Sequence, residues 1–300
     1  MKVLVTGANG LLGQYLVRSL LDEGIAVIGT GKGPDRLRFS QEPGYCYYSA
    51  DLGKPGSLYQ VLEMEKPESV IHAGAMTQVD HCELNREDCF KVNALGTSYA
   101  LQAAEEYSRR FVYISTDFVF DGARGCYTEE DPTGPVNWYG STKVQGEQFV
   151  CEGKISCAIV RTCLVYGNSL AGTRNNIITW TKDKLEKNES IQVVDDQVRT
   201  PTYVEDLAKG ILLVLKSKAE GIFHVSGKDI LTPYQMAVET ARYFGLREQL
   251  IGRVNEKTFT QAARRPLKTG FVIDKARKML GFEPMSFQYG LKKMFDNRHA

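Results

Sequence analysis

Tyr139 and Lys143 place a phenol and an ammonium four residues apart, in Tyr139-Gly140-Ser141-Thr142-Lys143. At the start of a helix that spacing puts both side chains on one face, one turn apart. A nearby cation favours the phenolate, so the tyrosine pKa is expected to fall toward a value useful at neutral pH. Such a phenol can give a proton to a carbonyl oxygen as hydride arrives at carbon. The spacing alone is weak evidence, because chance produces it often and a surface helix pair explains it equally well. A hydroxyl at Thr116 or Ser115 is the third candidate, where the strand Phe111–Ser115 runs into Thr116-Asp117-Phe118-Val119-Phe120-Asp121-Gly122. In a doubly wound sheet, ligands sit outside the carboxyl ends of the strands. A hydroxyl there can hydrogen-bond the reacting oxygen and stabilise its developing charge, or it can merely satisfy a loose backbone group.

The hydride needs a carrier, and the chain begins with a motif suited to one. Val3-Leu4-Val5-Thr6 leads into Gly7-Ala8-Asn9-Gly10-Leu11-Leu12-Gly13 and then a helical pattern. Glycines allow the tight turn and close backbone approach to a pyrophosphate, while the helix N-terminus offers free amides and a positive dipole end. Its position after a strand and before an amphipathic helix is the context that distinguishes a dinucleotide loop from a ligand-free turn. After the second strand the chain reads Gly29-Thr30-Gly31-Lys32-Gly33-Pro34-Asp35-Arg36. No acid stands at the immediate strand end to bind a ribose 2′-hydroxyl, whereas Lys32 and Arg36 suit a 2′-phosphate, so NADP is expected over NAD. Asp35 keeps NAD open. Asp51-Leu52 is placed to meet an adenine amine, although an aspartate there is also an ordinary N-cap.

The elements that must position these groups alternate along the first half. Strands are expected at Val3–Thr6, Ala26–Gly29, Ser69–His72, Phe111–Ser115 and Cys157–Arg161, with helices near Leu11–Glu23, Ser57–Lys66, Asp88–Tyr107 and Ser141–Cys151. Near-continuous apolar strands separated by helices indicate a parallel sheet covered on both faces. The expected fold class is therefore α/β, a doubly wound parallel sheet of the Rossmann type with a smaller C-terminal substrate-binding lobe. The dinucleotide-binding core is expected over residues 1–165. The lobe, over 166–300, would be interleaved with it through a return strand near 222–225. Within that second part, a helix is expected at Ile177–Glu186, a strand at Ile191–Val194, a helix at Val204–Leu215, and a helical, charged tail from Leu231.

Bulk properties narrow the function classes. Across 300 residues the formal net charge is +1, which points to neither nucleic acid nor an anionic membrane. Seven cysteines without a C-x-x-C pair fit reduced thiols, with Cys157 and Cys163 as small buried hydrophobes. Met1–Thr6 goes straight into a strand pattern, so no signal peptide is expected, and no apolar run is long enough to cross a bilayer. A cytoplasmic enzyme is the expectation. His72, His81, His224 and His299 lack ligand-like spacing, so no metal site is expected, and His72 is read as structural or cofactor-lining.

Together these residues resemble the extended short-chain dehydrogenase/reductase family. The nearest branch is that of the dTDP-4-dehydrorhamnose reductases, which also contains the methionine adenosyltransferase beta subunit. The resemblance covers nearly the whole chain. It rests on Thr6–Gly13, His72-Ala73-Gly74-Ala75, Val92-Asn93-Ala94, Ser115–Gly122, Asn137–Glu147, Arg161-Thr162, Asp195-Asp196-Gln197 with Thr200-Pro201-Thr202-Tyr203, and Arg265-Pro266. It implies that Thr116, Tyr139 and Lys143 form the catalytic triad, with Lys143 also holding the nicotinamide ribose and Asn93 supporting the proton relay. Gly7, Asn9, Gly10, Leu11, Leu12, Gly13, Ala73, Gly74 and Ala75 would line the cofactor. The substrate implied is a nucleotide-linked keto-deoxysugar, met by Asp117, Val119 and Phe120, with Arg199 or Arg265 near its pyrophosphate. A homodimer is implied, with Tyr99, Leu101 and Tyr107 as interface candidates that are otherwise ordinary core. The chain departs from the branch at Leu164, where a tryptophan is usual, and at Val198-Arg199, both where the sugar is expected to bind. The competing readings are a sugar-nucleotide epimerase that regenerates its cofactor and a dinucleotide-binding regulatory subunit.

Overall fold

A computed structural model of the chain describes residues 1–168 and 176–296; His299 lies outside them. Strand β1 (Lys2–Thr6) leads into α1 (Leu11–Asp22), β2 (Ala26–Gly31), β3 (Tyr45–Ser49), α2 (Tyr59–Glu65) and β4 (Ser69–His72). Short helices α3 (Val79–Leu84) and α4 (Arg86–Phe90) pass through a π-helical turn, Lys91–Leu95, into α5 (Gly96–Tyr107). Next come β5 (Arg110–Thr116), one 3-10 turn at Asp117–Val119, α6 (Trp138–Cys151) and β6 (Ser156–Thr162). The remainder contains β7 (Val165–Tyr166), α7 (Ile177–Glu186), β8 (Ile191–Val194), β9 (Thr202–Tyr203), α8 (Val204–Ser217) and β10 (Gly221–His224). It ends with α9 (Pro233–Phe244), β11 (Ile251–Val254), α10 (Asp274–Leu280) and α11 (Phe287–Asp296).

Seven strands form one sheet in the order β10-β6-β5-β4-β1-β2-β3, with every pairing parallel. Chain direction across the sheet reverses between β1 and β4, and the crevice at such a switch point is where open α/β sheets bind ligands. Parallel strands need both faces covered. Helices α1, α8 and α10 pack on one face, burying Leu16, Leu20, Leu207 and Ile211. Helices α2, α5 and α6 cover the other, over a core that includes Leu4, Val70 and Phe111. β10 hydrogen-bonds β6, so a segment from beyond residue 220 completes the sheet.

Three differences from the sequence reading have physical causes. β3 is not among the expected strands; its Tyr45-Cys46-Tyr47-Tyr48 run is aromatic and half-buried, a composition that suits an edge strand. The tail after Leu231 is not wholly helical. Ile251–Val254 pairs in parallel with β8, and residues 259–273 carry no helix, threading instead along the loop after β5. Finally, Leu101 belongs to the core under α5, which removes it from the expected interface, and the Tyr107 hydroxyl donates to that of Tyr59 at 2.8 Å. No helix among the described residues is long and apolar enough to cross a membrane.

The start of the fold depends on close backbone approach. Gly7 takes φ +70°, a left-handed conformation that glycine adopts without strain. A Cβ at Gly13 would lie 2.2 Å from the Gly7 carbonyl oxygen and 2.7 Å from Ala8 Cα, both rigid backbone atoms. We therefore expect Gly13→Ala to destabilise the protein by about 1–3 kcal/mol or more in urea denaturation. Wild-type stability in that variant would contradict the packing described.

Candidate active site

The carboxyl ends of β1, β4 and β5 hold most of the polar groups expected to act. α1 begins after Gly10, with no side-chain cap and no acidic residue in its first turn, which leaves the first amides, at Leu11 and Leu12, open to an anion. Gly74 follows β4 so closely that a Cβ on Gly7 would sit 2.7 Å from its Cα. Its amide donates to Thr6 Oγ1 at 3.0 Å, and His72 Nδ1 meets the same hydroxyl at 3.0 Å. His72 is fully buried and stacked beside Phe111 and Tyr113, and burial together with Lys143 holds its pKa down at about 3. It is a neutral strut between Thr6 and Thr97. Ala73 and Ala75 flank Gly74 at half-buried positions.

At the end of β2, Asn9 fixes the following loop. Its amide donates to Pro34 O at 3.0 Å and Tyr47 Oη at 2.9 Å, while its oxygen accepts from Arg36 N at 2.9 Å. Lys32 and Arg36 have exposed side chains. Asp35 turns inward to accept from Leu37 N at 2.9 Å. Asp51 caps its own turn, accepting from Gly53 N at 3.1 Å, and pairs with Lys32 at 3.2 Å. Burial pushes its carboxyl up, but the Lys32 and Gly53 bonds outweigh this and lower the pKa. Leu52 lies over Gly74.

Helix α6 starts earlier than the spacing suggests, at Trp138, because Asn137 caps it by accepting from Gly140 N at 2.8 Å. Tyr139 is thus in the first turn, buried against Cys82, Cys89 and Phe118. The expected fall in its pKa does not occur. Burial pushes the phenol well up, Thr116 pulls it slightly back, and the Asp117 charge raises it again. The ammonium points elsewhere: Lys143 Nζ donates to Ile114 O at 2.8 Å and lies 4.1 Å from the centre of the Tyr113 ring. Burial lowers Lys143 to about 7, against the opposing pull of Glu147.

Thr116 likewise differs from a free oxyanion donor. Its one proton goes to Asp117 Oδ1 at 3.1 Å, and it accepts from Phe118 N at 3.3 Å. Asp117 is buried and also accepts from Thr269 Oγ1, with Arg199 Nε 3.8 Å away. Asp117 therefore has no face for a sugar. Val119 and Phe120 are fully buried too; Phe120 stacks on Tyr127 with ring centres 4.1 Å apart. Both are core, since the chain turns inward after the 3-10 turn. Arg199, 2% exposed, donates to Val198 O at 2.8 Å, Leu267 O at 3.0 Å, Pro266 O at 2.8 Å and Gln197 Oε1 at 3.3 Å. With those donors spent, it stitches two segments together instead of offering a fork to a pyrophosphate. Arg265 is held bidentately by Asp80, at 2.5 Å to each oxygen. Asn93, in the π-helical turn, brackets Met76 by accepting from its amide at 2.8 Å and donating to its carbonyl at 3.0 Å.

Sequence reasoning assigned no role to the ion pair beneath the site. Glu147 accepts bidentately from Arg161, at 2.9 and 2.6 Å, and from Ser115 Oγ at 2.5 Å. Glu147 follows Lys143 by one helical turn, a spacing visible in the sequence; its partner on β6 is not. Thr269 carried no signal at all. A depression of about 760 Å3 on the C-terminal lobe, lined by Lys228, Tyr234, Arg242 and Phe287 among others, includes none of the residues around Tyr139. Among the described residues, no three His, Cys, Asp or Glu side chains stand together as metal ligands would.

The family model described as the RmlD substrate binding domain matches residues 1–299. A dTDP-4-dehydrorhamnose reductase of Aggregatibacter actinomycetemcomitans is 28% identical, with 98% of each chain covered. The methionine adenosyltransferase 2 subunit beta of Rattus norvegicus is 27% identical over 97% of this chain and 86% of its own. Among solved structures, a dTDP-4-dehydrorhamnose reductase from Bacillus anthracis, in complex with NADP, superposes with a TM-score of 0.84 at 31% identity and 98% coverage of both chains.

The buried Lys143 makes a stability prediction with a definite sign. Below pH 7 the lysine is charged both folded and unfolded, so the folded state bears the whole desolvation cost. Between about 7 and the unfolded value of about 10.4 the folded state sheds its proton first, and the cost fades. Lys143→Met should therefore melt above wild type at pH 6, with the gap closing as pH rises through that window in calorimetry. A gap that widens with pH would contradict the assignment.

Proposed function

The chain belongs to the RmlD substrate-binding-domain family, and on that footing we propose that it reduces the keto group of a nucleotide-activated deoxysugar with NADPH, NADH being the alternative donor. The observation that carries this reading is the buried Tyr139 phenol, whose ring meets that of Phe118 just past the carboxyl end of β5, with Lys143 one turn along the same helix. The names of the relatives, reductases of a 4-keto deoxysugar attached to a nucleotide, support the same substrate class.

The residues present fit a dinucleotide. The uncapped N-terminus of α1 suits a pyrophosphate, the close Gly7–Gly74 approach lets backbone line the crevice between β1 and β4, and Lys32 and Arg36 are exposed and would meet a 2′-phosphate. Gly10, Leu11, Leu12 and Gly13 would follow the pyrophosphate, Asp51 and Leu52 the adenine, and Ala73 and Ala75 the far half. A bound reduced nicotinamide supplies the hydride. Tyr139 gives its phenolic proton to the carbonyl oxygen, turning the ketone into an alcohol and leaving a phenolate. Burial keeps the phenol in the donor form at neutral pH but makes it a weaker acid, so the transfer depends on a positive charge nearby to stabilise the phenolate. Lys143, one turn along α6, provides the positive charge that the phenolate then needs. Arg265, which would have to exchange its bonds to Asp80 and Ala263 O, is the arginine assigned here to the substrate's phosphates.

Purified protein should oxidise NADPH stoichiometrically only when a nucleotide-linked keto-deoxysugar is supplied, followed by loss of absorbance at the reduced nicotinamide band. Turnover without net consumption would instead indicate an epimerase. No turnover on any such sugar, with stable co-purification of another enzyme, would indicate a binding subunit. Tyr139→Phe should lower kcat by roughly 10²–10⁴ while remaining folded; a variant at wild-type rate would remove Tyr139 as the donor.

Cofactor choice is separately testable by fluorescence titration. Replacing Lys32 and Arg36 together with alanine should weaken NADPH binding by roughly tenfold, the scale of charge-assisted phosphate contacts, and leave NADH within about twofold. Equal losses for both would show that neither residue meets a 2′-phosphate.

A further inference from the structure

We propose that Tyr47 on β3 is a positioning residue for cofactor choice: its hydroxyl, with the Asn9 amide, locks the loop after β2 so that Lys32 and Arg36 meet the 2′-phosphate of NADPH. The inference rests on the reading of Lys32 and Arg36 as phosphate contacts and deepens it, since it concerns what holds them ready. The Tyr47 hydroxyl donates to Gly31 O at 3.0 Å and Gly33 O at 3.1 Å, the two carbonyls that flank Lys32 in the chain. It also accepts from Asn9 Nδ2 at 2.9 Å. Asn9 then reaches the next stretch, donating to Pro34 O at 3.0 Å and accepting from Arg36 N at 2.9 Å. One node of two side chains thus holds the backbone on both sides of Lys32 and the amide of Arg36 itself.

Donor and acceptor counts fix how the node works. A phenolic hydroxyl has one proton, which the two carbonyls share as a three-centre bond, and it can accept as well. The Arg36 amide can only donate, so the Asn9 oxygen must face it and the Asn9 NH2 must face Pro34 O and Tyr47. Both Asn9 protons are therefore spent inside the protein, and its side chain serves the cofactor through the loop.

The loop needs this outside hold. Gly31 and Gly33 flank Lys32, and Gly33 takes φ +83°, so the local chain is intrinsically pliable. Lys32 and Arg36 are exposed and gain no fixed place from packing. The remaining brace is the Gly33 amide on Ser49 Oγ at 3.2 Å, again from the end of β3. Apparent affinity scales with the fraction of protein whose loop is already in the binding shape. NADH carries a hydroxyl where NADPH carries the phosphate, so it draws little on the two cations, and loosening the loop should cost NADPH selectively.

Fluorescence titration of NADPH and NADH against Tyr47→Phe, Tyr48→Phe and the Lys32→Ala/Arg36→Ala pair, with and without Tyr47→Phe, tests this. Phenylalanine keeps the half-buried ring and removes only the hydroxyl. Tyr47→Phe is expected to weaken NADPH roughly threefold to tenfold and to leave NADH within about twofold. Tyr48→Phe, which removes a neighbouring β3 hydroxyl bonded to Glu65 on α2, should leave the NADPH-to-NADH ratio unchanged. In the alanine pair, adding Tyr47→Phe should lower NADPH affinity by no more than about twofold further, because the brace acts through the two cations. Equal losses for both dinucleotides, an equal shift of the ratio by Tyr48→Phe, or an undiminished loss in the alanine pair would overturn the positioning role while the phosphate reading stands. If the alanine pair itself fails to separate NADPH from NADH, the phosphate reading falls and the positioning role with it.

Discussion

Desolvation of two ionisable groups on one helix turn is the constraint around which this site is arranged. Tyr139 and Lys143 are both nearly buried, and burial moves them in opposite directions: the phenol keeps its proton more firmly, and the ammonium releases it more readily. A phenol and an amine arranged this way start from the states a proton donor and a rechargeable neighbour require. The cost falls on the fold, since among the described residues Lys143 Nζ meets one carbonyl and one ring face.

That cost explains the density of the polar network underneath. Glu147, one turn after Lys143, is the negative charge that partly offsets the buried ammonium, and Arg161 and Ser115 in turn satisfy Glu147. Such a pair is weak evidence for stability by itself, because desolvation consumes most of the Coulomb gain. Its value here is placement: it ties β5, β6 and α6 together one helical turn from Lys143. Asp117, Arg199 and Thr269 form a second buried set, which joins the same strand end to segments far along the chain.

The parts legible in the sequence were those written locally. Strand, glycine turn and amphipathic helix at the start follow from adjacent residues, as does the sharing of a face by Tyr139 and Lys143. The sign of the Tyr139 shift was not legible, because burial sets it, and Cys82, Cys89 and Phe118 bury the phenol from other elements. Arg199 read as a phosphate ligand from its charge alone; its partners at Pro266 and Leu267 lie more than sixty positions away in sequence. Asp117, Val119 and Phe120 sit next to Thr116 in the chain yet face the core, since one 3-10 turn reverses the direction that adjacency suggests. In the tail, β11 exists because β8 is there to pair with it, and no local periodicity records a partner sixty residues earlier.

The central claim is spatial: the buried phenol adjoins the place where hydride is delivered. A crystal structure of the protein with NADP bound measures this directly. The account predicts that the pyrophosphate rests on the start of α1 and that the nicotinamide ring lies within reach of Tyr139 Oη, with Thr116 beside it. A dinucleotide seated elsewhere, or a ring separated from that hydroxyl by packed side chains, would contradict it.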